Sequence, residues 1–533
     1  MSQPPSGRAE QLAALRQARP WDVLIIGGGA SGLGAAVDAA ARGYRTLLVE
    51  ARDFASGTSS CSTKLIHGGV RYLRQGDFAL VRNALRERAY LLQNAAHLVH
   101  PLAFVIPARR QVDRLLYAAG LKLYDLLAGH HNLAAAHSLD RRQVIAALPG
   151  LRRAGLCGGI RYWDGQFDDA RLAIALMRTA SEFGACCLNY LPAIGLLKTG
   201  GRLASAVLRD AESGEEFEVA ARVVINASGV YADRVRHLDD PAAAPLLTPS
   251  QGIHLVLDAD FLPGEQALLI PETEDGRVMF AIPWQGKVLL GTTDTPRPTL
   301  TEFDDPQPLT SEIDFLLRTA AGVLQRAPGR ADIRSAFAGL RPLIHPASAD
   351  HRSTAAMSRE HAVLVSASGL VTVAGGKWTS YRLMAEQVVD RASQVGGLPA
   401  EPCPTRTLKL HGSPDAPSND AYGTDAPLLA ALPGHDRRLH PALPYSEAMV
   451  RFAVRYEAAR RIEDVLARRT RALFLDATAA TAVIGRVGEL LVEELNWPAD
   501  RLTALIASAQ TGARRFRVGL EEAEELAGKA DLS

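Results

Sequence analysis

Three glycines with a fixed spacing, followed by an acidic residue, form the first group of residues that suggests chemistry. Gly27, Gly29 and Gly32 make the pattern GxGxxG, and Glu50 ends the next apolar stretch. In this pattern the first glycine permits a tight turn, the second lets the backbone approach a pyrophosphate, and the third allows close helix–strand packing. The carboxylate accepts hydrogen bonds from a ribose 2′-hydroxyl and would repel a 2′-phosphate. The spacing therefore predicts a site for NAD or FAD and argues against NADP.

A second reactive group follows directly, in residues 56–73, SGTSSCSTKLIHGGVRYL. This segment gathers hydroxyls, a lysine, a histidine, two glycines and an Arg-Tyr pair behind the nucleotide-binding pattern. Ordinary loops are polar too, so composition alone assigns no role to the segment.

Two cations further along the chain lie in settings that fix the backbone. Arg341 is flanked by Gly339 and Pro342, and Lys377 follows two glycines. An arginine fork matches phosphate oxygens and a lysine acts as a point charge, yet a single cation is more often part of a surface ion pair. His254, among Ile, Leu and Val, and also His67, are each by themselves more often core histidines. Only their occurrence together favours an anion-binding redox site.

The elements that must position these residues are visible in the hydrophobic pattern. Residues 22–50 read as strand, glycine turn, Ala-rich helix and strand, which is a βαβ unit. Residues 77–99 have helical periodicity with Asp77 as N-cap, and 220–233 read as a strand that ends in a glycine turn. Residues 278–294 read as two paired strands joined at a Gln-Gly pair. Because the GxGxxG pattern lies near the N-terminus and no second dinucleotide fold is evident, FAD is favoured over NAD.

Composition narrows the class of protein. The chain has 533 residues, of which 47% are apolar, and its 59 Lys and Arg nearly balance its 58 Asp and Glu, so no nucleic-acid partner is expected. The five cysteines show neither CxxC nor metal-ligand spacing, which predicts a reducing, cytoplasmic setting and no bound metal. The first twenty residues lack the apolar core of a signal peptide, and no apolar run is long enough to span a bilayer.

The order of the motifs resembles that of the FAD-dependent glycerol-3-phosphate dehydrogenases, the respiratory members of the D-amino-acid-oxidase-like flavoproteins. The resemblance rests on TSSCSTKLIHGGVRYL, GTTD, GLRPL and GGKWTSYR, in that order, and on RIEDVLARRTRALFLD in the C-terminal part. It implies an α/β fold: a Rossmann-type FAD-binding domain with an inserted β-sheet substrate domain (D-amino-acid-oxidase-like) and a C-terminal helical domain.

The resemblance also implies a domain order. The expected segments are 20–100, 166–250 and 336–398 for the three parts of the FAD-binding domain, 101–165 for a connecting helical region, 251–335 for the β-rich substrate domain, 399–445 for a linker, and 446–533 for the C-terminal helical domain.

The resemblance implies roles for individual residues. The residues expected to bind the substrate are Arg71, Tyr72, Arg341, Arg359, Lys377 and Thr379. Those expected to contact FAD are Gly27, Gly29, Gly32, Glu50, Thr58, Ser59, Ser60, Lys64, Gly68, Gly69, Gly375 and Gly376. His254 is the expected general base, with His67 as the second choice.

The implied reaction is oxidation of sn-glycerol 3-phosphate to dihydroxyacetone phosphate, with hydride transfer from C2 to flavin N5 and electrons passed to a membrane quinone. The implied location is peripheral, on the inner face of the cytoplasmic membrane, and a second copy of the chain in a homodimer is a further expected partner. Arginines after Ser446 are expected to meet anionic headgroups, the competing interpretation being a solvated helix face with acidic partners. These arginines are Arg451, Arg455, Arg460, Arg461, Arg468, Arg469 and Arg471.

Three other functions stay open at this point. An oxidase of the same flavoprotein group would return the electrons to O₂, and sequence does not separate it from a dehydrogenase. An amine or amino-acid oxidase needs one carboxylate-binding arginine rather than several cations. A flavin-binding or membrane-scaffold protein without catalysis would show no substrate that bleaches its flavin.

Overall fold

The computed structural model describes residues 7–517 except 74, 75, 275, 298–305, 346–359, 416, 417 and 419, and of Arg71 it describes the backbone only. The helices are α1 (Arg8–Leu15), α2 (Ala30–Ala41), α3 (Val70–Leu73), α4 (Phe78–Asn94), α5 (Gln111–Ala128), α6 (Arg141–Ala147), α7 (Asp169–Glu182), α8 (Ala232–Asp239), α9 (Thr310–Val323), α10 (Tyr381–Gly396), α11 (Ala426–Ala430), α12 (Glu447–Tyr456), α13 (Ala472–Leu475), α14 (Ala477–Ala482), α15 (Ile484–Leu495) and α16 (Arg501–Arg514).

The strands are β1 (Trp21–Ile26), β2 (Thr46–Val49), β3 (Leu65–Ile66), β4 (Val99–Ala108), β5 (His137–Leu139), β6 (Gly158–Phe167), β7 (Cys186–Leu188), β8 (Ala193–Thr199), β9 (Arg202–Arg209), β10 (Glu216–Asn226), β11 (Leu247–Asp258), β12 (Ala267–Ile270), β13 (Met279–Trp284), β14 (Lys287–Gly291), β15 (Thr295–Pro296), β16 (Ser335–Ile344), β17 (His361–Val365) and β18 (Val371–Gly375).

The first sheet is the predicted nucleotide-binding sheet. Its strand order is β17-β18-β10-β1-β2-β7, and all neighbours except β17 and β18 run parallel. Along β1, Val23 and Ile25 face the core shared with α2, α7 and α10, whereas Leu24 and Ile26 face the core on the other side. Because both faces of the strand are covered, β1 is apolar at every position from Val23 to Ile26.

The second sheet lies across the first and is mostly antiparallel. Its order is β15-β11-β14-β13-β12-β4-β6-β3, with β16 also paired to β11 and β5 to β6. The predicted hairpin is present: β13 and β14 pair antiparallel, and the turn residues Gln285 and Gly286 both have positive φ, as a two-residue turn of this kind requires.

The second sheet draws on more of the chain than the sequence indicated. Residues 101–165, expected to be a helical connection, contain α5 and α6 but also most of β4 and β6, which pair along their lengths. The sequence analysis did not predict β4 because the strand contains Pro101 and Pro107, and a proline argues against a central strand. The structure tolerates them since β12 pairs with β4 only at Phe104 and Val105. Likewise β16, expected in the FAD-binding domain, pairs with β11 over its whole length.

The C-terminal helices pack on the second sheet. Phe474 of α13 and Leu491 of α15 share one core with Trp284 and Phe337 of the sheet. Ser446 stands at the N-cap of α12 as predicted, although its hydroxyl makes no capping hydrogen bond.

The C-terminal arginines differ from the prediction that they meet lipid headgroups. Except for Arg461, each of the seven contacts a carboxylate of the protein, and Arg468, Arg469 and Arg471 are almost completely buried. A buried guanidinium that pairs with a carboxylate inside the protein is not accessible to lipid headgroups. Arg468, Arg469 and Arg471 therefore join the C-terminal helices to the FAD-binding segments, whereas Arg451 and Arg455 pair with Glu493 and Glu494 within the C-terminal domain.

Among the described residues, none of the helices combines the length and the apolar character that crossing a membrane requires.

Candidate functional site

A cavity of about 1010 Å³ lies between the two sheets. Its walls include Gly27 and Glu50 at the carboxyl ends of β1 and β2, and His254 and Arg341 on β11 and β16. Ligands in open α/β sheets bind at the carboxyl ends of the parallel strands. The fold thus brings the predicted nucleotide-binding residues and the predicted catalytic residues to one cavity.

The nucleotide end of the cavity has the geometry that GxGxxG predicts. Gly27 has a φ of +117°, and a Cβ at this position would come 2.5 Å from the carbonyl oxygen of Ala227. Gly29 precedes α2, and the first amide of the helix, at Ala30, donates to Ser59 Oγ (2.9 Å). Gly32 packs against the backbone of Gly27 and does not line the cavity. A pyrophosphate therefore has a helix N-terminus and a bare backbone to approach.

Glu50 is held by the backbone of its own loop. Its carboxylate accepts from the amide of Gly28 (2.7 Å) and from that of Arg52 (2.9 Å). Burial raises the pKa of Glu50, and these two hydrogen bonds act against that rise. The side chain lines the cavity, where a ribose hydroxyl would complete its hydrogen bonding.

Two loops close around the centre of the cavity. Thr58 Oγ1 donates to the carbonyl of Leu340 (2.6 Å), and Trp378 Nε1 donates to the carbonyl of Ser59 (2.8 Å). Gly375 and Gly376 have φ values of +77° and +80°, which turn the chain from β18 toward the cavity. Gly69, Gly375 and Gly376, which the resemblance assigns to FAD binding, line the cavity. The bare backbone and hydroxyls fit the flat ring system and the phosphates of FAD.

Three residues expected to contact the cofactor lie behind the loop instead of in the cavity. Lys64 is fully buried, forms a salt bridge with Asp169 (2.7 Å) and donates to the carbonyl of Ser60 (2.7 Å). Burial lowers the pKa of Lys64 to about 8, and Asp169 acts against that shift. The Gly68 amide donates to the Tyr124 hydroxyl (2.9 Å). Ser60, Lys64 and Gly68 therefore support the loop from the side that faces away from the cavity. The linear sequence cannot distinguish such a supporting residue from one that contacts the cofactor.

His254 lies in the cavity wall on β11. Its Nε2 is 3.0 Å from Thr63 Oγ1, and its ring stacks on Phe337 at a centroid distance of 5.0 Å. Nδ1 is buried and has no hydrogen-bond partner among the residues described. Burial, then the charges of Lys64 and Arg341, lower the pKa of His254 well below its ordinary value. The imidazole is therefore neutral at physiological pH.

The guanidinium of Arg341 is held in one orientation. It donates to Thr292 Oγ1 (3.1 Å), to the carbonyl of Thr293 (3.0 Å) and to that of Gln251 (3.3 Å), with Asp294 Oδ1 at 3.4 Å. A Cβ on Gly252 of the neighbouring strand β11 would come 2.2 Å from the guanidinium, so a larger residue there would displace it. The hydrogen-bonded charge of Arg341 lies at the cavity surface.

Lys377 and its neighbours form another part of the cavity wall. Lys377 Nζ lies 3.8 Å from the centre of the Tyr72 ring, and both residues line the cavity. Thr379 Oγ1 accepts from the amide of His67 (3.2 Å) and donates to its carbonyl (3.3 Å). His67 also lines the cavity, so the second choice for a base stays spatially reasonable.

Two predicted substrate residues fall outside what the structure describes. Arg359 is among the undescribed residues, and Arg71 is placed only through the backbone of α3.

Several residues in the cavity wall had no sequence signal. Arg52, Arg234 and Arg277 line the cavity, as do aromatic residues of the second sheet. Arg52 donates to the Tyr231 hydroxyl (2.8 Å). Its place two residues after Glu50 is the one clue that the sequence offered.

Comparison with known proteins agrees with this geometry. The profile of a family described as "FAD dependent oxidoreductase" matches residues 22–382, and one described as "C-terminal domain of alpha-glycerophosphate oxidase" matches residues 418–502. Human "Glycerol-3-phosphate dehydrogenase, mitochondrial" is 40% identical over an alignment that covers 93% of this chain and 73% of the human protein.

Solved structures give the same result. The X-ray structure of the glycerol-3-phosphate dehydrogenase from Bacillus halodurans complexed with FAD superposes with a TM-score of 0.77 at 28% identity, covering 96% of this chain and 98% of that one. L-alpha-Glycerophosphate oxidase from Mycoplasma pneumoniae with FAD bound has a TM-score of 0.56 at 17% identity, covering 73% and 98%, and shows a shared fold alone. These matches confirm the predicted fold class.

Proposed function

This chain belongs to the family of FAD-dependent glycerol-3-phosphate dehydrogenases, and from that premise we propose that it oxidises sn-glycerol 3-phosphate to dihydroxyacetone phosphate. The observation that carries the proposal is the pairing, in one cavity, of a nucleotide cradle with a neutral histidine and two fixed cations. Several cations suit a phosphate dianion better than the single carboxylate of an amino acid.

FAD is held by the cradle around Gly27 and Gly29, by Glu50 and by the loops that contain Thr58 and Gly375. When bound, FAD would supply the hydride acceptor for the substrate and the route of the electrons to an external acceptor. The protein contributes binding, orientation and proton transfer.

The phosphate of the substrate binds between Arg341 and Lys377. Hydrogen bonds to Thr292 and Thr293, with Asp294 at 3.4 Å, orient the guanidinium of Arg341 at the cavity surface. Tyr72 supports the ammonium of Lys377 through a cation–π contact. Binding at one end of a small substrate fixes the distance of its C2 from the wall that holds His254.

His254 takes the proton of the C2 hydroxyl as the C2 hydride leaves. Because the imidazole is neutral, it has an unprotonated nitrogen for this role. The charge of Arg341 is one cause of the lowered pKa of His254. Because the bound phosphate offsets this charge, substrate binding raises the pKa of His254 and makes it a stronger base. Thr63, 3.0 Å from Nε2, fixes the plane of the ring.

The test of the phosphate site is Arg341→Ala, with Arg334→Ala as control. Arg334 is an exposed arginine of the same sheet region that pairs with Asp258. Loss of a charged hydrogen bond costs about 1.5–3 kcal/mol, which corresponds to a rise in KM of about ten- to a hundredfold. Both variants should retain the flavin absorption. An unchanged KM in Arg341→Ala refutes the phosphate assignment.

The proposed acceptor is a membrane quinone, reached by peripheral docking on the inner face of the cytoplasmic membrane. Support comes from α5, where Val112, Leu115, Leu116 and Leu126 are each between 65% and 76% exposed. They recur at helical spacing on one face, and the exposed cations Arg109, Arg110 and Lys122 lie in or beside this helix. An apolar stripe with flanking cations is the arrangement of a helix that lies in an anionic lipid surface.

The docking proposal is tested by sedimentation with vesicles that contain phosphatidylglycerol. Leu116→Asp should reduce vesicle-bound protein at least tenfold, because it removes apolar burial and adds a charge that anionic lipid repels. Leu197→Asp changes an exposed leucine of β8 and is the matched control. Equal binding of the two variants would exclude α5 as the docking element.

A glycerol-3-phosphate oxidase is the second candidate function, favoured by the match of the C-terminal domain to that of a glycerophosphate oxidase. The peroxide formed per substrate oxidised under air separates the two: a value near one identifies an oxidase and a value near zero a dehydrogenase.

A further inference from the structure

A buried cluster of three charged side chains lies behind the segment from Ser60 to Lys64. Lys64 Nζ is 2.7 Å from Asp169 Oδ2 and donates to the carbonyl of Ser60 (2.7 Å). Arg471 Nη2 donates to the same carbonyl (2.9 Å) and is 3.2 Å from Asp169 Oδ1. Because a buried ion pair is weak evidence for a stabilising role, this lysine cluster, formed by Lys64, Asp169 and Arg471, calls for another explanation.

The lysine cluster holds an unusual backbone conformation in place. Lys64 and Arg471 have φ values of +62° and +63°, in the left-handed region that side chains other than glycine rarely adopt. The amide of Lys64 donates to Ser62 Oγ (3.1 Å), and the Ser62 hydroxyl donates in turn to Asp169 (2.7 Å). A strained conformation persists only where surrounding contacts determine it. The cluster therefore fixes the turn that runs from Ser62 to Lys64.

Thr63, in the middle of this turn, connects the lysine cluster with the proposed base. Thr63 lines the cavity, and its Oγ1 is 3.0 Å from Nε2 of His254. Nδ1 of that ring has no hydrogen-bond partner in the part of the chain that the structure describes. The orientation of the imidazole thus depends on the Thr63 hydroxyl, whose position depends on the neighbouring Ser62 and Lys64.

A second connection runs through Phe337. The ammonium of Lys64 and the ring of His254 each lie 5.0 Å from the centre of the Phe337 ring. The positive charge of Lys64 is, after burial, a cause of the low pKa of His254. The other groups that act on these two residues are Asp169 of α7, Arg471 before α13 and Cys61 for Lys64, and Arg341 of β16 for His254. A cation close to the base favours its neutral form, which proton abstraction requires.

We propose that Lys64, Asp169 and Arg471 are positioning residues for the proton transfer: they hold the Thr63 hydroxyl against Nε2 of His254 and so set the orientation of the ring. The proposal rests on the proposed function, because it concerns the base assigned there. None of the three residues lines the cavity, so each acts on the reaction only through Thr63 and His254.

The test compares Lys64→Met with Arg178→Met. Methionine suits the aromatic surroundings of Lys64, which include Trp284 and Phe474. Arg178 is a buried arginine of α7 that pairs with Asp425 (2.7 Å), so its variant is the matched control for loss of a buried ion pair.

Two measurements are made on the FAD-loaded proteins. The first is ¹⁵N NMR of histidine-labelled, substrate-free protein at neutral pH, with the His254 signals assigned by their absence in His254→Gln. The second is the single-turnover rate of flavin reduction by sn-glycerol 3-phosphate, in H₂O and in D₂O.

In Lys64→Met we expect the His254 nitrogen signals to move, because the ring loses its hydrogen bond with Thr63. Flavin reduction should slow by about tenfold or more, since small misplacements of a reacting group are costly. Its solvent isotope effect should rise as proton transfer becomes limiting, while the half-saturating substrate concentration stays within about twofold of the parent because the phosphate site is intact. Arg178→Met should keep the parent's signals and isotope effect, because loss of stability alone changes neither.

His254 signals and reduction rates that are the same in Lys64→Met and Arg178→Met would overturn the proposal. Asp169→Asn, which removes a charge without changing the size of the side chain, must also move the His254 signals, and it decides the test if Lys64→Met does not fold. If sn-glycerol 3-phosphate does not bleach the parent enzyme, the proposed function fails, and the NMR comparison still decides whether the lysine cluster positions His254.

Discussion

Replacing Arg469 by glutamine removes one cation from a buried cluster that joins the C-terminal domain to the FAD-binding loop. The Arg469 guanidinium is fully buried, with Nη1 2.7 Å from Asp53 Oδ2 and Nη2 2.9 Å from Oδ1. Arg468 makes the second contact to the same carboxylate. Asp53 follows Glu50 closely in the chain, so the cluster fixes the segment from which the cofactor cradle is built.

The size of the effect follows from the burial of Asp53. Burial alone would raise the pKa of this carboxyl, but the charges of Arg469 and Arg468 hold it below its ordinary value. Without Arg469 the carboxylate keeps one cationic partner in a site that excludes water. Breaking a buried pair on one side costs about 3–5 kcal/mol, and we expect Arg469→Gln to lie near the lower end because Arg468 remains.

Urea unfolding measures the change in the free energy of unfolding, and titration with FAD measures its Kd. Arg455→Gln is the matched control, because Arg455 pairs with Glu494 at a site that is 43% exposed and should lose less than about 1 kcal/mol. Arg469→Gln should also weaken FAD binding at least threefold, since the cradle loses its support. Equal destabilisation of the two variants would refute the argument that this cluster is a structural joint.

Three further predictions concern separate parts of the molecule. Because burial and nearby charges keep the pKa of His254 well below its ordinary value, kcat at saturating substrate, which reports the enzyme–substrate complex, should stay constant from pH 8 down to pH 6.5, and a loss of kcat over that range would contradict the assignment of the base. Asp77→Ala should lower the free energy of unfolding by about 1 kcal/mol through loss of the α4 cap, as measured by urea unfolding. Burial acts to raise the pKa of Glu463, but Arg515 and Arg468 lower it to about 2, so its stabilising effect is present above pH 4.5 and disappears as the pH falls toward 2. Glu463→Gln should therefore be less stable than the parent at pH 7 and should flatten the decline in stability over that acid range.

The predicted elements with a strong local signal are present in the structure. The βαβ unit around Gly27, the Asp77-capped helix and the hairpin at Gln285 all rest on periodicity and turn chemistry that neighbouring residues determine. The family and the cofactor class were equally readable, because GxGxxG and the motifs around Arg341 and Lys377 are contiguous in the chain.

Contacts between distant segments were not readable. β4 was missed because its two prolines are compatible with a strand only when one side is left largely unpaired, which depends on where β12 ends. The sequence left two interpretations of the C-terminal arginines, lipid headgroups or acidic partners on the protein, since a charge run does not reveal that Asp53, far away in the chain, pairs with Arg468 and Arg469.

For this protein, the sequence alone determined the nucleotide cradle, the chemistry of the cations and the family, because each depends on residues that are close in the chain. The tertiary structure decided which of those residues reach the cavity. Lys64 pairs with Asp169 behind the loop, whereas Arg277 and the aromatic residues of the second sheet line the cavity without any local sequence signal. The physical reason is that a side chain's role depends on which strands lie beside its own, and that pairing is set by long-range packing of the two sheets.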